Sequence, residues 1–383
     1  MELTDEQAAI RDLVHEFAVE EIRPVAREAD REQRFPEDVW DGLAALDMTG
    51  LTVPAEYGGY DADRVTYAVV SEQIAYGMLA VATALGVHWL ATSCIATFGD
   101  DDQKARWLPE MVDGRPVGAF ALSEPQAGSN PAAMTTEARP VEGTDGETEA
   151  YVVNGEKQWI TNGKRAGVIV VFAKTDREDP DSVTQFLVPA DADGLDVGDP
   201  EDKLGLRASD TTSLTFDDVR IPAANRLTPV GRGLSAALSI LNGGRVGVAA
   251  QSVGLAQSAL DEAVAYATER EQFDRPIADF QAIRHKLADM EAKIRAGREL
   301  AFEAARKMDA GADDVRTAAS IAKYVASEAA VEVTNEAVQI HDGYGYTTAF
   351  PVERLYRDAK VTTIYEGTSE IQQTIIAREL LDE

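Results

Sequence analysis

The 383 residues are 45% hydrophobic, enough for two or three domains with real cores. The formal charge is −31, from 67 acids against 36 bases (26 Arg and 10 Lys), which excludes electrostatic binding to nucleic acid or an anionic membrane. Abundant acid with scarce lysine fits a protein kept in concentrated salt, where self-repulsion is screened, so a halophilic source is expected.

The N-terminus, Met1-Glu2-Leu3-Thr4-Asp5-Glu6, carries neither a basic region nor an apolar signal core. Thr4 and Gln7 have capping-box spacing, and Ile10, Leu13, Val14 and Phe17 share one helical face. Phe35-Pro36 opens a second helix with Val39, Trp40, Leu43 and Leu46 on its apolar side. After a polar loop, helical spacing resumes from Val65 to about Leu90, and a shorter helix starts near Asp100. The lone cysteine, Cys94, precludes an internal disulfide and reads as a buried thiol within a mostly apolar run. No run of about 18 apolar residues predicts a membrane span. Residues 1–117 therefore read as an all-helical domain of a cytoplasmic protein.

The character changes at Val117. Short β-rich runs at 118–122, 151–153, 157–160, 168–173, 184–188 and 213–216 are separated by Gly, Pro, Asn and Asp. Asn154-Gly155 is expected to turn a hairpin between the second and third runs, and 137–150, acidic and Gly/Thr-rich, to form a mobile loop. Residues 118–222 thus read as a small antiparallel barrel or sandwich. From 223 to 383 the helical pattern returns, with segments at 231–270, 279–308, 313–340 and 369–381. Phe280, Ile283, Leu287, Met290 and Ile294 make a stripe suited to a four-helix bundle. The fold class is mainly α with a central β domain.

His15, His88, His285 and His341 are scattered without metal-ligand spacing. Gly243-Gly244-Arg245-Val246-Gly247 lies inside a helical pattern and Gly343-Tyr344-Gly345 follows a helix, so neither is a dinucleotide fingerprint. Walker and Gly-x-Ser-x-Gly motifs are absent. The run Ala119 to Asn130 ends a strand in a loop of small hydroxyl residues. It reads as an inter-strand turn or as donors for a planar ring or a phosphate. Alternation places Trp159 and Thr161 on one face, a plate and hydroxyl for a heteroaromatic ligand or simply a core tryptophan. Near the C-terminus, Ser369 and Gln372 have capping-box spacing after Gly367, so Glu366 lies on a bent loop at a helix N-terminus. Glu366 reads as a solvated loop acid or as a base whose product anion those N–H groups stabilise.

Several segments together carry a family resemblance: Arg34-Phe35-Pro36, Val53-Pro54-Ala55-Glu56-Tyr57-Gly58-Gly59, Ala121-Leu122-Ser123-Glu124-Pro125 and Asn154 through Gly163. Gly244-Arg245, Glu269-Arg270-Glu271-Gln272-Phe273, Gln339 through Tyr346, Arg357-Asp358-Ala359-Lys360 and Tyr365-Glu366-Gly367-Thr368 complete the order. The chain resembles the acyl-CoA dehydrogenases over essentially its whole length, most closely the short- and medium-chain branches. The resemblance implies FAD between the β domain and the bundle. Phe120, Leu122, Ser123, Gly128, Ser129, Trp159, Ile160 and Thr161 would line it, with Leu122, Ser123, Trp159 and Thr161 at the isoalloxazine. Thr368 and Glu370 would contact the rest of the cofactor. Arg270, Phe273, Gln281, Gln339, Ile340, Asp342 and Gly343 would hold the ADP half of FAD on a neighbouring subunit of a homotetramer (a dimer of dimers).

On the same resemblance Ser129, Asn242, Arg245, Tyr365 and Gly367 border the acyl-CoA, and Glu366 matches the catalytic base. Some branches carry that base where this chain reads Asn242-Gly243-Gly244-Arg245, which holds no acid. The implied reaction is α,β-dehydrogenation of an acyl-CoA thioester to a trans-2-enoyl-CoA. Glu366 takes the α-proton, hydride goes to flavin N5, and an electron-transfer flavoprotein accepts the electrons. An acyl-CoA oxidase or a non-catalytic acyl-CoA-binding relative are the alternatives. The departures from the family pattern are Asn130, where Asp is usual, and Asp274 and Asp342, where Gly is usual.

Overall fold

The computed structural model describes residues 3–381. Helix α1 (Asp5–Phe17) starts at the expected capping box: Gln7 N–H donates to Thr4 Oγ1 at 3.2 Å and Thr4 N–H to Gln7 Oε1 at 3.1 Å. One wide turn, Ala18–Ile22, carries the chain into α2 (Arg23–Glu32), whose first turn contains Pro24. Helices α3 (Glu37–Ala45), α4 (Arg64–Gly77), α5 (Leu79–Phe98) and α6 (Asp101–Val112) follow. The apolar pattern from 65 to 90 is two helices rather than one, because Met78 is extended, with φ −162° and ψ 121°.

Helix α5 corrects the expectation that nothing here has span-like length and apolarity. Its 20 residues have mean hydropathy 1.6, and 78% of its most apolar window is buried inside the fold. Trp89, Leu85 and Cys94 pack into the cores, and burial raises the Cys94 thiol pKa. It is the central helix of the N-terminal region.

Seven strands form the middle sheet: β1 (Val117–Ala121), β2 (Glu137–Glu142), β3 (Thr148–Ile160), β4 (Ala166–Lys174), β5 (Val183–Pro189), β6 (Leu195–Val197) and β7 (Thr212–Pro222). The order is β1-β4-β2-β3-β7-β6, with β5 also on β4. Pairing is antiparallel except that β1 runs parallel to β4 and β2 meets β4 in parallel at Glu137 and Lys174.

Two expectations fail here. Asn154-Gly155 turns no hairpin; it is a bulge within the single 13-residue strand β3, where the register against β7 shifts. Gly155 has φ +143°, and a Cβ there would lie 2.6 Å from the Thr136 hydroxyl, while the Asn154 amide pairs with Asp218 at 3.0 Å. A glycine chosen for close approach therefore imitates a turn glycine. The stretch 137–150 is not a loop either. It is β2 plus the tip of a hairpin, closed by Gly143 N–H to Glu147 O at 2.8 Å, with Ala138 fully buried.

The C-terminal region contains α7 (Gly233–Glu269), a two-strand ribbon β8 (Glu271–Gln272) and β9 (Arg275–Pro276), α8 (Gln281–Asp309), α9 (Val315–Ile340), α10 (Val352–Thr362) and α11 (Ser369–Leu380). Helix α10 escaped the apolar reading because its buried face mixes Val352, Leu355 and Ala359 with Arg354 and Asp358. One apolar core unites the N-terminal helices with α7 to α10, a second joins α5 and α6 to the sheet, and a third fills the sheet interior. Two polar tethers fix the β region on the helices. Asn162 Nδ2 donates to Ala84 O on α5 at 2.8 Å and to Gly118 O at 3.1 Å, and Leu206 N–H donates to Asp358 Oδ1 at 2.7 Å.

Candidate active site

Glu366 sits where α10 turns into α11, at φ +55°, followed by Gly367 at φ +93°. Two left-handed residues in succession are strained for a glutamate and persist only when neighbours hold them. Two side chains do so through three hydrogen bonds. Gln372 Nε2 donates to the carbonyls of Glu366 (3.2 Å) and Gly367 (2.9 Å), and the fully buried Lys323 on α9 donates from Nζ to Gly367 O at 2.8 Å. The helix cap itself is displaced from its expected position. Thr368 Oγ1, not Ser369, accepts the Ile371 N–H at 3.4 Å, while Ser369 donates to Glu328 at 2.5 Å.

The carboxylate turns inward. Glu366 Oε2 is sealed from water without a hydrogen-bond partner, packed on the bare helix surface at Gly244. Burial raises its pKa to about 7, even though the positive charges of Arg245 and Lys323 pull the other way. Arg245 is 6% exposed; its Nη1 donates to Asn242 Oδ1 at 2.9 Å, and its Nε has no partner. Lys323, desolvated in turn, falls to about 8 despite Glu366 nearby. Tyr365 lies 3.4 Å from Gln251 and 3.5 Å from Thr83 through its hydroxyl. Tyr67 is buried nearby, with its phenol pushed up to about 12. The Glu366 N–H has no acceptor among the described residues.

A second cluster lies at the end of β3. Trp159 adopts φ +63° and is 61% exposed, so the strand alternation that put it on one face with Thr161 breaks at this bulge. Ser123 is pinned beside it, its carbonyl accepting the Gln158 N–H at 3.0 Å. Beneath them runs a buried ion pair: Lys157 Nζ donates to Glu124 Oε1 at 2.8 Å and to Leu122 O at 3.3 Å. Burial opposes the Glu124 charge, but Lys157 and the Thr135 and Thr136 donors bring its pKa down to about 2. The tether from Asn162 to Ala84 places this cluster beside Thr83, which meets Tyr365. Adjacent residues of α5 thus link the two clusters.

The remaining expected residues sort clearly. Gly128 and Ser129 lie on the exposed loop after Ser123, and Glu370 is exposed at the start of α11. The Phe120 ring packs tilted against Phe172 with centroids 4.8 Å apart, and the Ile160 and Ile340 side chains are buried in apolar cores. Arg270, Phe273, Gln281, Gln339, Asp342 and Gly343 gather at the other end of the bundle. There Arg270 lies 5.9 Å from the Tyr344 ring and Phe273 is 86% exposed. Asp274 (φ +63°) and Asp342 (φ +52°) occupy left-handed positions that favour glycine and tolerate aspartate. Sequence reasoning missed Lys323, Gln251 and Tyr67. Lys323 had a signal, a charge four residues after Ala319 on the stripe that continues through Ala326 and Ala330.

Residues 4–115, 119–219 and 231–381 match the N-terminal, middle and C-terminal domains of acyl-CoA dehydrogenase. The chain belongs to the acyl-CoA dehydrogenase family. It is similar to the 3-(aryl)acrylate reductase of Clostridium sporogenes, at 42% identity over the whole of both chains. Among solved structures, butyryl-CoA dehydrogenase from Megasphaera elsdenii matches at 40% identity and TM-score 0.94, over 100% of this chain and 99% of that one. A glutaryl-CoA dehydrogenase from Mycobacterium smegmatis in complex with FADH2 matches at 31% identity and TM-score 0.93, over 100% and 96%. This acyl-CoA dehydrogenase is an oxidoreductase acting on CH–CH donors.

The cluster at the end of β3 fits FAD on its own terms. Trp159 offers an exposed aromatic face, and the hydroxyls of Ser123 and Thr161 make no hydrogen bond among the described residues.

Proposed function

We propose that this chain dehydrogenates an acyl-CoA thioester between its α and β carbons, with Glu366 as the base. The observation that carries the reading is the Glu366 carboxylate, desolvated on Gly244 with a pKa near the working range and no internal partner. Leu122, Ser123, Trp159 and Thr161 would hold the isoalloxazine of FAD, and Thr368 with Glu370 would contact the rest of the cofactor. FAD, when bound, supplies the acceptor for the β-hydride. The unpartnered Glu366 N–H donates to the thioester carbonyl, where negative charge grows as the α-proton leaves. Arg245 and Lys323 keep the carboxylate ionisable inside an apolar wall. Asn242 and Ser129 border the CoA arm.

The acceptor beyond FAD is an electron-transfer flavoprotein in a salty cytoplasm, and the assembly is a homotetramer. The length of α7 supports sharing of FAD between subunits. Gly244 and Arg270 are 26 residues apart, about 39 Å along the helix, so Arg270 and Phe273 serve a different FAD from the one Trp159 faces.

Anaerobic titration with a panel of acyl-CoAs tests the reading: the oxidised flavin band bleaches with saturated substrates. A flavin that no acyl-CoA reduces would overturn it. Peroxide released on aerobic turnover would move the chain to the oxidases. The likeness to a 3-(aryl)acrylate reductase favours a second reading, net reduction of an enoyl substrate over the same Glu366. Faster turnover of enoyl- than acyl-thioester with a reduced donor would select it.

A further inference from the structure

Three consecutive residues of α5, Ala82, Thr83 and Ala84, are each met by a different part of the chain. Gln251 on α7 donates from Nε2 to Ala82 O at 3.1 Å. The Tyr365 hydroxyl lies 3.5 Å from Thr83 Oγ1. Asn162, two residues past the end of β3, donates from Nδ2 to Ala84 O at 2.8 Å. Ala82 and Ala84 are about 200° apart around the helix, so their carbonyls meet α7 on one side and the β region on the other.

A carbonyl can only accept, and that orients the whole chain of donors. Ala82 O takes the Gln251 amide N–H, which leaves Gln251 Oε1 to accept from the Tyr365 hydroxyl at 3.4 Å. With its proton used there, Tyr365 accepts from Thr83. Burial raises the Tyr365 phenol pKa, so the hydroxyl keeps its proton. Gly86 leaves room for the amide, since a Cβ on it would stand 3.2 Å from Gln251 Nε2. Gln251 lies two turns beyond Gly244 on the same face of α7. Tyr365 and Glu366 therefore straddle that face, the ring tip on Gln251 and the carboxylate on Gly244. A seat at both ends fixes where the left-handed Glu366 points.

We propose that residues 82–84 of α5 are a shared anchor that keeps the Glu366 base in register with the flavin face. Gln251 and Asn162 are its two positioning residues. Gln251 seats the Tyr365-Glu366 loop, and Asn162 seats the segment from Trp159 to Thr161. Neither exchanges a proton or hydride with substrate. The inference rests on the dehydrogenation reading above and adds how the two halves of that site keep their spacing.

The test measures flavin bleaching on the holoenzyme by stopped flow, for wild type, Gln251→Leu, Asn162→Gly and the double variant. The probe is butanoyl-CoA at saturation, or the panel member that bleaches wild type fastest. Glycine suits the left-handed φ of +64° at 162 and removes only the amide. Each single change lowers the saturating rate on the order of 10–100-fold, since about 1 Å of misplacement suffices, with acyl-CoA affinity retained. Gln251 and Asn162 make no hydrogen bond to each other, so independent effects would multiply. A shared anchor puts the double variant no more than about threefold below the slower single. Flavin content and melting temperature separate folding from rate. If Gln251→Leu does not fold, Tyr365→Phe removes the same hydrogen bond from its other end and takes its place. Losses that multiply, unchanged single-variant rates or a loss confined to affinity overturn the proposal and leave the dehydrogenation reading standing. A wild type bleached by no acyl-CoA sinks both.

Discussion

The Glu366 carboxylate occupies the space that a side chain at Gly244 would need. A Cβ built on Gly244 would stand 2.9 Å from Glu366 Oε2 and 3.4 Å from its carboxyl carbon, with Leu90 also at 3.4 Å. The carboxylate and the bare helix are one device: the loop delivers the acid, and the missing side chain admits it.

Gly244→Ala is accordingly expected to displace the carboxylate while leaving the flavin cleft intact. A shift of about 1 Å in a reacting group costs on the order of 100-fold in rate. Stopped-flow bleaching of the flavin would show the loss in the reductive step, with flavin content retained. Wild-type bleaching in this variant would show that the contact does not position the base.

Glu366→Gln removes the base and keeps the shape. The expected loss in the bleaching rate is about 10²–10⁴-fold, with acyl-CoA binding preserved. For the wild type, the reductive rate should rise with pH through about 7, where the carboxylate ionises, and level off above it. The folded-state pKa lies above the ordinary glutamate value. The protonated form is therefore the one the fold favours, and its contribution to stability is full below about 4.5 and lost as pH rises through about 7. Glu366→Gln should consequently show a melting temperature less sensitive to pH between those limits, as differential scanning fluorimetry would report.

Lys323→Met removes one of the two charges that hold the Glu366 pKa down and the donor to Gly367 O. The midpoint of the pH–rate profile should move to higher pH. A profile that drops in height without moving would assign Lys323 to loop support alone.

Breaking the Glu124–Lys157 pair should be costly, since both side chains are within 1% of complete burial. Removing one partner of such a pair costs about 3–5 kcal/mol. Lys157→Met is predicted to lose that much in urea unfolding and to release flavin more readily, because Leu122 O and the Ser123 loop lose their support.

The charge of −31 predicts a salt response. Thermal stability and flavin retention should both increase from dilute buffer to molar KCl as acid repulsion is screened. Greatest stability in the absence of salt would remove the halophile proposal.

Much of this was legible in the sequence where a residue's local chemistry and its tertiary role agree. The capping box at Thr4, the helix start near Asp100, the loop position of Glu366 and the stripe from Ile283 to Ile294 are all set by neighbours within a few residues. Reading failed where distant contacts reassign a residue. Gly155 looks like a turn glycine until Thr136 is seen against it, and Ser369 looks like a cap until Thr368 takes that role and Glu328 takes the serine. The site divides similarly. Glu366, Trp159 and Arg245 were expected from motifs, whereas Lys323 and Gln251 stand out only through the partners they have. Partners of that kind come from packing between helices far apart in the chain.

The two adjacent glycines of α7 differ in what surrounds them. Gly244 faces a carboxylate that must stay, but Gly243 faces only the movable tip of Arg64 at 3.5 Å and a Met308 methyl at 4.0 Å. A methyl at 243 would take up space in the cavity of about 50 Å³ that Gly243 lines with Tyr67, Trp89 and Leu90, without touching the carboxylate. Position 243 thus sets the volume of this cavity independently of the Glu366 carboxylate, which rests on the neighbouring glycine.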